Sequence, residues 1–371
     1  MSKLPLRTAL TIVALSSAVA GCALAGDRAG SPNGKCPAGE TCSELTPNGL
    51  FFVGTASTDN IFKSGLATTA RGGRQTVTAL TGSGSGSPPY DGDFDAKTEN
   101  PSVASVLSID PPSVDLQGEV FGSTRLRLLE PGTDKLLDRV EVKVAEVAKV
   151  SLFPAEMMLI SDDDKPWAML AGSSVPLIVR LENLAGDRLV DEDLDLTAAT
   201  GNVSRKSWDL FAIDAPAQGE ASCAIKAGDG SFEATAKVVE KIDEVIGSDG
   251  LGNTDEPIAI TVEQDSLVCF LARSGSLPVA GAEWEFALPP SVELGDLQLD
   301  FPLPSCVTLR GVTPGAAELT VKASGVSKVV KLDVGAKQSP LFRGPTQQRA
   351  LKGQMTRVPV IGERARTEDE G

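Results

Sequence analysis

The sequence predicts an all-β chain of three tandem β-sandwich domains, and three observations carry that prediction. Short apolar stretches are broken throughout by turn-forming residues, with 37 Gly and 24 Pro in 371 residues. Where those stretches have a pattern it alternates with period two, as in Val140-Glu-Val-Lys-Val144, which places Val on one face and charge on the other. A strand-opening phrase then recurs at domain-sized spacing: Gly122-Ser-Thr-Arg-Leu-Arg-Leu128, Gly219-Glu-Ala-Ser-Cys-Ala-Ile225 and Gly315-Ala-Ala-Glu-Leu-Thr-Val321, separated by 97 and 96 residues.

Each phrase is followed by a second alternating strand: Val140–Val144, Phe232–Val238 and Val330–Val334. Ahead of it, the first copy offers Gln75–Leu80, Asp93–Lys97 and Val103–Val106. The second offers Val147–Leu152, Val175–Leu181 and Trp208–Phe211; the third offers Ile258–Val262, Leu267–Leu271 and Trp284–Phe286. No apolar stripe of helical period is long enough to compete. Roughly seven short strands in about 95 residues is the content of a sandwich with one face of each sheet buried. In each copy the position of Leu126, Cys223 and Leu319 falls on the buried face, so Cys223 is expected to be a buried small hydrophobe.

These phrases resemble bacterial Ig-like domains of the group 2 kind. Asn100-Pro-Ser-Val-Ala-Ser-Val106 is similar to a characteristic strand of that family, and Leu309-Arg-Gly-Val-Thr-Pro-Gly315 through Val321 to its turn into the penultimate strand. The resemblance implies three tandem Ig-like sandwiches in an extracytoplasmic setting, and it brings no catalytic residues. The expected division is 50–147, 148–246 and 247–335, folding as separate units with modest contacts and some hinge motion between them.

The N-terminus has the layout of an export signal: Lys3 and Arg7, an apolar run from Thr8 to Ala20, then Val19-Ala20-Gly21-Cys22. The run is too short to span a bilayer. The pattern resembles the bacterial lipobox, which implies that residues 1–21 are removed and that Cys22 becomes a diacylglyceryl-modified, palmitate-bearing first residue of a lipoprotein. Two or more acyl chains hold a protein stably where one does not. By the same resemblance Ala23 after the cysteine implies sorting to the outer membrane. Residues 22–49, rich in Gly, Pro, Ser and Asn, are read as a flexible tether with a reach of roughly 30 Å.

Composition closes off most chemistry. The chain has no histidine, which removes the usual general base, the commonest metal ligand and every Ser-His or Cys-His nucleophile. It has no phosphate-binding loop and no Cys-x-x-Cys. A net charge of −16 repels phosphate backbones, so nucleic acid is not an expected partner. No cofactor is expected. The function expected is that of a non-enzymatic, lipid-anchored envelope protein presenting sandwich loops for binding or adhesion, or acting as a spacer. Its partners are then the membrane and an envelope protein or polysaccharide. The competing readings are a carbohydrate or peptidoglycan binding module, which needs aromatic platforms, and a carboxylate-dependent hydrolase.

Particular residues carry finer expectations. Beyond Cys22 the five remaining cysteines suggest two bridges, Cys36 with Cys42 and Cys269 with Cys306, leaving Cys223 unpaired. Tyr90, the one tyrosine, lies with Asp91 and Asp93 in a Gly/Ser-rich stretch and is a candidate contact residue. Acidic groups at Asp162–Asp164, at Asp191–Asp193 with Asp195, and at Asp249, Asp255 and Glu256 invite a calcium reading, although none has EF-hand spacing. The tail, 336–371, carries seven basic against four acidic residues, has no strand pattern and is read as a disordered basic end.

Overall fold

Period-two alternation becomes strands wherever turn residues release the chain, and the computed structural model is β throughout. It describes residues 40–45, 49–56, 58, 66–81, 87–158, 166–248, 257–296, 303–336, 347–349 and 355–357. Among them there is no α-helix, only a single 3-10 turn at Ala155–Met157.

The strands in chain order are, first, β1 (Phe51–Gly54), β2 (Thr68–Ala70), β3 (Arg74–Leu80), β4 (Asp95–Thr98), β5 (Ala104–Asp110), β6 (Ser113–Gly118), β7 (Gly122–Leu129) and β8 (Leu136–Ala145). Next come β9 (Lys149–Pro154), β10 (Ala168–Leu170), β11 (Ser174–Glu182), β12 (Arg188–Val190), β13 (Asp195–Ala198), β14 (Val203–Arg205), β15 (Leu210–Asp214), β16 (Glu220–Ala227) and β17 (Gly230–Val239). The third group is β18 (Glu244–Ser248), β19 (Ile258–Thr261), β20 (Asp265–Ser274), β21 (Leu277–Ala280), β22 (Trp284–Ala287), β23 (Val292–Leu294), β24 (Cys306–Gly311), β25 (Gly315–Ala323) and β26 (Val326–Gly335). A small hairpin, β27 (Gln347–Arg349) with β28 (Met355–Arg357), forms a separate two-stranded sheet in the tail, where a disordered end is expected, because strands of three residues carry no readable alternation.

Each group makes the same two layers. One sheet runs β1-β3-β6-β5, β9-β11-β15-β14 and β18-β20-β24-β23 in the three copies; the other runs β2-β8-β7-β4, β10-β17-β16-β13 and β19-β26-β25-β22. In Ig lettering these are A-B-E-D and A′-G-F-C, the immunoglobulin strand order with a short first strand split between the sheets. The Gly-opened phrases are the F strands, and their glycines all have positive φ: 151° at Gly122, 90° at Gly219 and 137° at Gly315. That conformation is cheap only without a Cβ. Leu126, Cys223 and Leu319 face inward at equivalent F positions, at most 3% exposed.

Three cores fill the gaps between layers: one around Leu116 and Leu126, one around Leu177 and Phe211, and one around Phe270 and Leu319. In the last, Phe270, Trp284 and Phe286 form an aromatic cluster with ring centroids 5.6–6.4 Å apart.

The junctions differ from the expected hinges. Pairing runs straight across them. β12, a hairpin extension of β11, adds in parallel to β2, with Leu189 opposite Thr68 and Val190 opposite Thr69. β21, the matching extension of β20, adds in parallel to β10, with Val279 opposite Ala168 and Ala280 opposite Met169. The inner sheet of one sandwich and the outer sheet of the next therefore become one nine-stranded sheet, twice. Only two bridging residues pair at each junction, at strand ends, so the sandwiches meet end to end. This pairing is not legible in the sequence, because two residues have no periodicity to read.

The expected tether also ends early. The amide of Ser43 donates to Leu136 O and that of Leu136 to Thr41 O, both at 2.8 Å, and Glu40 pairs with Arg127 and Arg139. Residues 40–43 thus lie against the first sandwich.

Candidate functional site

The most built features among the described residues are the two junctions, and their polar chemistry explains residues that the sequence marked for other roles. Asp191 follows β12 directly and is 1% exposed. Its Oδ1 accepts from the amides of Arg74 (3.1 Å) and Asp193 (3.0 Å), and its Oδ2 from the amide of Gly228 (2.6 Å). Glu192 accepts from the Thr76 amide (2.9 Å), from the Thr76 hydroxyl (2.8 Å) and from the Thr55 hydroxyl, and its own amide donates to Arg74 O (2.8 Å). A buried carboxylate needs such donors to offset its desolvation. Asp191 and Glu192, read from sequence as calcium ligands, instead tie the second sandwich to the first.

Around that centre the contact is broad. Arg71 bridges Glu146 (2.6 Å) and Asp229 (3.1 Å), the Trp208 indole donates to Ala56 O (2.8 Å), and Asp209 accepts from the Thr58 amide (2.7 Å) and hydroxyl (2.5 Å). Gly72 has φ +77°, and a Cβ there would lie 2.6 Å from the Asp229 amide nitrogen.

The second junction is more apolar. Leu170 and Val239 pack against the third core, while Leu271 and Ala280 belong to the second. At its centre sits Glu156, 3% exposed, on the 3-10 turn. It accepts from the Gly281 amide at 2.5 Å, and Ser305 Oγ donates to its backbone carbonyl at 3.2 Å. Burial pushes the Glu156 carboxyl up to about 7, against a smaller lowering by the Gly281 amide.

The remaining sequence-marked residues are placed as follows. Tyr90 is 7% exposed, packed in the first core and stacked on Phe94 at 6.3 Å. Its amide donates to Ala79 O, so it continues a strand rather than tipping a loop, and it is no surface contact residue. Its phenol is held above the ordinary range by burial first and by Asp91 and Asp93 second. Those two aspartates are exposed. Cys269 and Cys306 lie opposite each other on β20 and β24 and are disulfide-bonded, S–S 2.11 Å, within one sheet. Cys223 is a buried free thiol, raised by desolvation. Cys42 is disulfide-bonded. Cys22, Cys36, Asp162–Asp164, Asp249, Asp255 and Glu256 lie outside the described residues.

Among the described residues, no group of three or more acidic or cysteine side chains is disposed to hold a metal ion. The three tryptophans are partly buried: Trp167 packs on the second core, Trp284 in the third, and Trp208 spans the first junction. The exposed aromatic that sequence reading missed is Phe121, 70% exposed beside Val120 at 55%. No helix among the described residues is long and apolar enough to cross a membrane.

Strand order and junctions together define a chain of end-to-end Ig-like β-sandwiches. No protein-family model matches the chain, and no curated protein sequence matches it. Solved structures with similarity include domains 4–9 of the surface layer protein SbsC, at 14% identity and TM-score 0.28, covering 81% of this chain and 49% of that one. They also include FdeC, an Escherichia coli adhesin, at 13% identity and TM-score 0.20, covering 77% of this chain and 96% of that one. Invasin, a bacterial integrin-binding protein, is similar at 14% identity and TM-score 0.22, covering 83% of this chain and 63% of that one. Against the SbsC fragment, then, the chain spans about half the partner's length.

Proposed function

We propose that the chain is a lipid-anchored spacer of the bacterial cell envelope: signal 1–21 removed, Cys22 acylated at the outer membrane, and three Ig-like domains, 50–147, 148–246 and 247–335, holding their loops away from the lipid for binding or adhesion. The observation that carries this reading is the repeated junction. Two successive sandwiches are joined by strand addition in the same register, which resists bending because a hinge would have to break backbone hydrogen bonds and expose buried Leu189, Val190, Val279 and Ala280. A spacer needs that resistance to bending. The lipobox resemblance supplies the anchor.

The reading is tested in cells by labelling with palmitate and separating membranes. Wild-type protein is expected to carry label and sediment with the outer membrane, and Cys22→Ala to lose both. Label retained by the variant contradicts the anchor.

A further inference from the structure

The first two A′ strands are covered by the next sandwich, whereas the third, β19, ends its sheet with no partner on its outer edge among the described residues. The three strands superpose by their hydrogen bonds. Arg71 donates to Ala145 O, Ala171 to Val239 O and Val262 to Gly335 O; three residues beyond each A′ strand's equivalent end, Gly73 donates to Ala70 O, Ser173 to Leu170 O and Gln264 to Thr261 O. Thr68, Ala168 and Ala259 are therefore equivalent, as are Thr69, Met169 and Ile260. Since Val262 faces β26, period-two alternation turns the Ala259 amide and carbonyl outward, the groups that in the earlier copies receive β12 and β21.

An open edge recruits a strand, and the chain carries one. The segment on the second edge reads Leu277-Pro-Val-Ala-Gly281; the tail contains Val358-Pro-Val-Ile-Gly362. The two residues that dock are buried apolar pairs in both junctions, Leu189 with Val190 and Val279 with Ala280, all at most 2% exposed, and Val360 with Ile361 is such a pair. The described tail strand β28 leads straight into it. Reach is ample: 24 residues separate Gly335 from Pro359, a root-mean-square span of about 27 Å, against about 13 Å for a four-residue strand. The tail's seven basic against four acidic residues suit a body of net negative charge. A second copy fits worse. Its own extension has Pro89 opposite Leu80, which sets Pro88 and Pro89 in the places of Val279 and Ala280, and Pro89 has no amide to donate to the Ala259 carbonyl.

We infer that the tail segment Pro359–Gly362 adds to the outer edge of β19 as a parallel strand, Val360 opposite Ala259 and Ile361 opposite Ile260, as β12 adds to β2 and β21 to β10. The inference stands independently of lipid attachment. It is tested on the full-length mature chain in two ways. The pair Ala259→Cys and Val360→Cys should form an intrachain disulfide on mild oxidation, at least tenfold faster than the control pair Ala259→Cys and Lys352→Cys. Equal rates overturn the inference, and a bond between chains assigns the edge to a second copy and overturns it too. Hydrogen exchange on chains without added cysteines should show the Ala259 amide exchanging at least tenfold more slowly in wild type than in the double variant Val360→Asp, Ile361→Asp. Equal exchange overturns it even if the cysteine variants fold poorly.

Discussion

Glu156 is the residue at which solution conditions reach the second junction. Its carboxyl titrates near 7 in the folded chain, against 4.5 for an ordinary glutamate, because burial disfavours the charged form. The folded state then binds the proton more tightly than the unfolded one. Stability from this group is fully present below about pH 4.5 and is lost as pH rises through 7, by an amount on the order of 3 kcal/mol. Thermal melts should fall in midpoint between pH 5 and 8 in wild type, and the fall should shrink in Glu156→Gln, which keeps an acceptor for the Gly281 amide. An unchanged slope in the variant contradicts this account. Cys223 gives a second check. Buried at 3% exposure with its thiol held above the ordinary range, it should resist iodoacetamide in the folded chain and react fully in urea. Its placement was legible, since its sister positions in the repeat are leucines. The fates of Tyr90 and Asp191 were not. A tyrosine in a Gly/Ser stretch and an acidic triplet look exposed in isolation, and only the strand pairing that buries Tyr90 and the amides of Arg74 and Gly228 aimed at Asp191 show otherwise.

At the scale of elements, the long strands were readable because half-buried antiparallel strands must alternate, and the Gly-opened F strands marked the repeat. The short A′ strands and the hairpin extensions were not, since strands of three or four residues carry no pattern and their partner lies in another sandwich. These short elements nonetheless set the geometry of the array. Gly72, in the turn after β2, is the position where the account is most exposed to a small change. A methyl group there meets Asp229 of the second sandwich and forces an L side chain into φ +77°. Gly72→Ala should destabilise the first junction by about 1–2 kcal/mol, and hydrogen exchange should localise the loss to residues 68–76 and 188–192 while the third sandwich is unaffected. Exchange unchanged at those residues would show that the junction does not depend on this close approach. The Cys269 to Cys306 bridge acts on a different element, closing 37 residues within the third sandwich. Loop-closure entropy assigns it about 4 kcal/mol, and reduction should lower the melting of that sandwich alone.

For the whole molecule, strand addition at both junctions requires the sandwiches to stack end to end, and small-angle scattering on residues 50–335 reads that arrangement out. Three bodies of about 95 residues, each with a radius of gyration near 12 Å and centres roughly 35–40 Å apart, give an overall value of about 30–35 Å. A value in that range is expected, with the distance distribution of a rod. A value near 20 Å, that of a single compact body of about the same chain length, would contradict it.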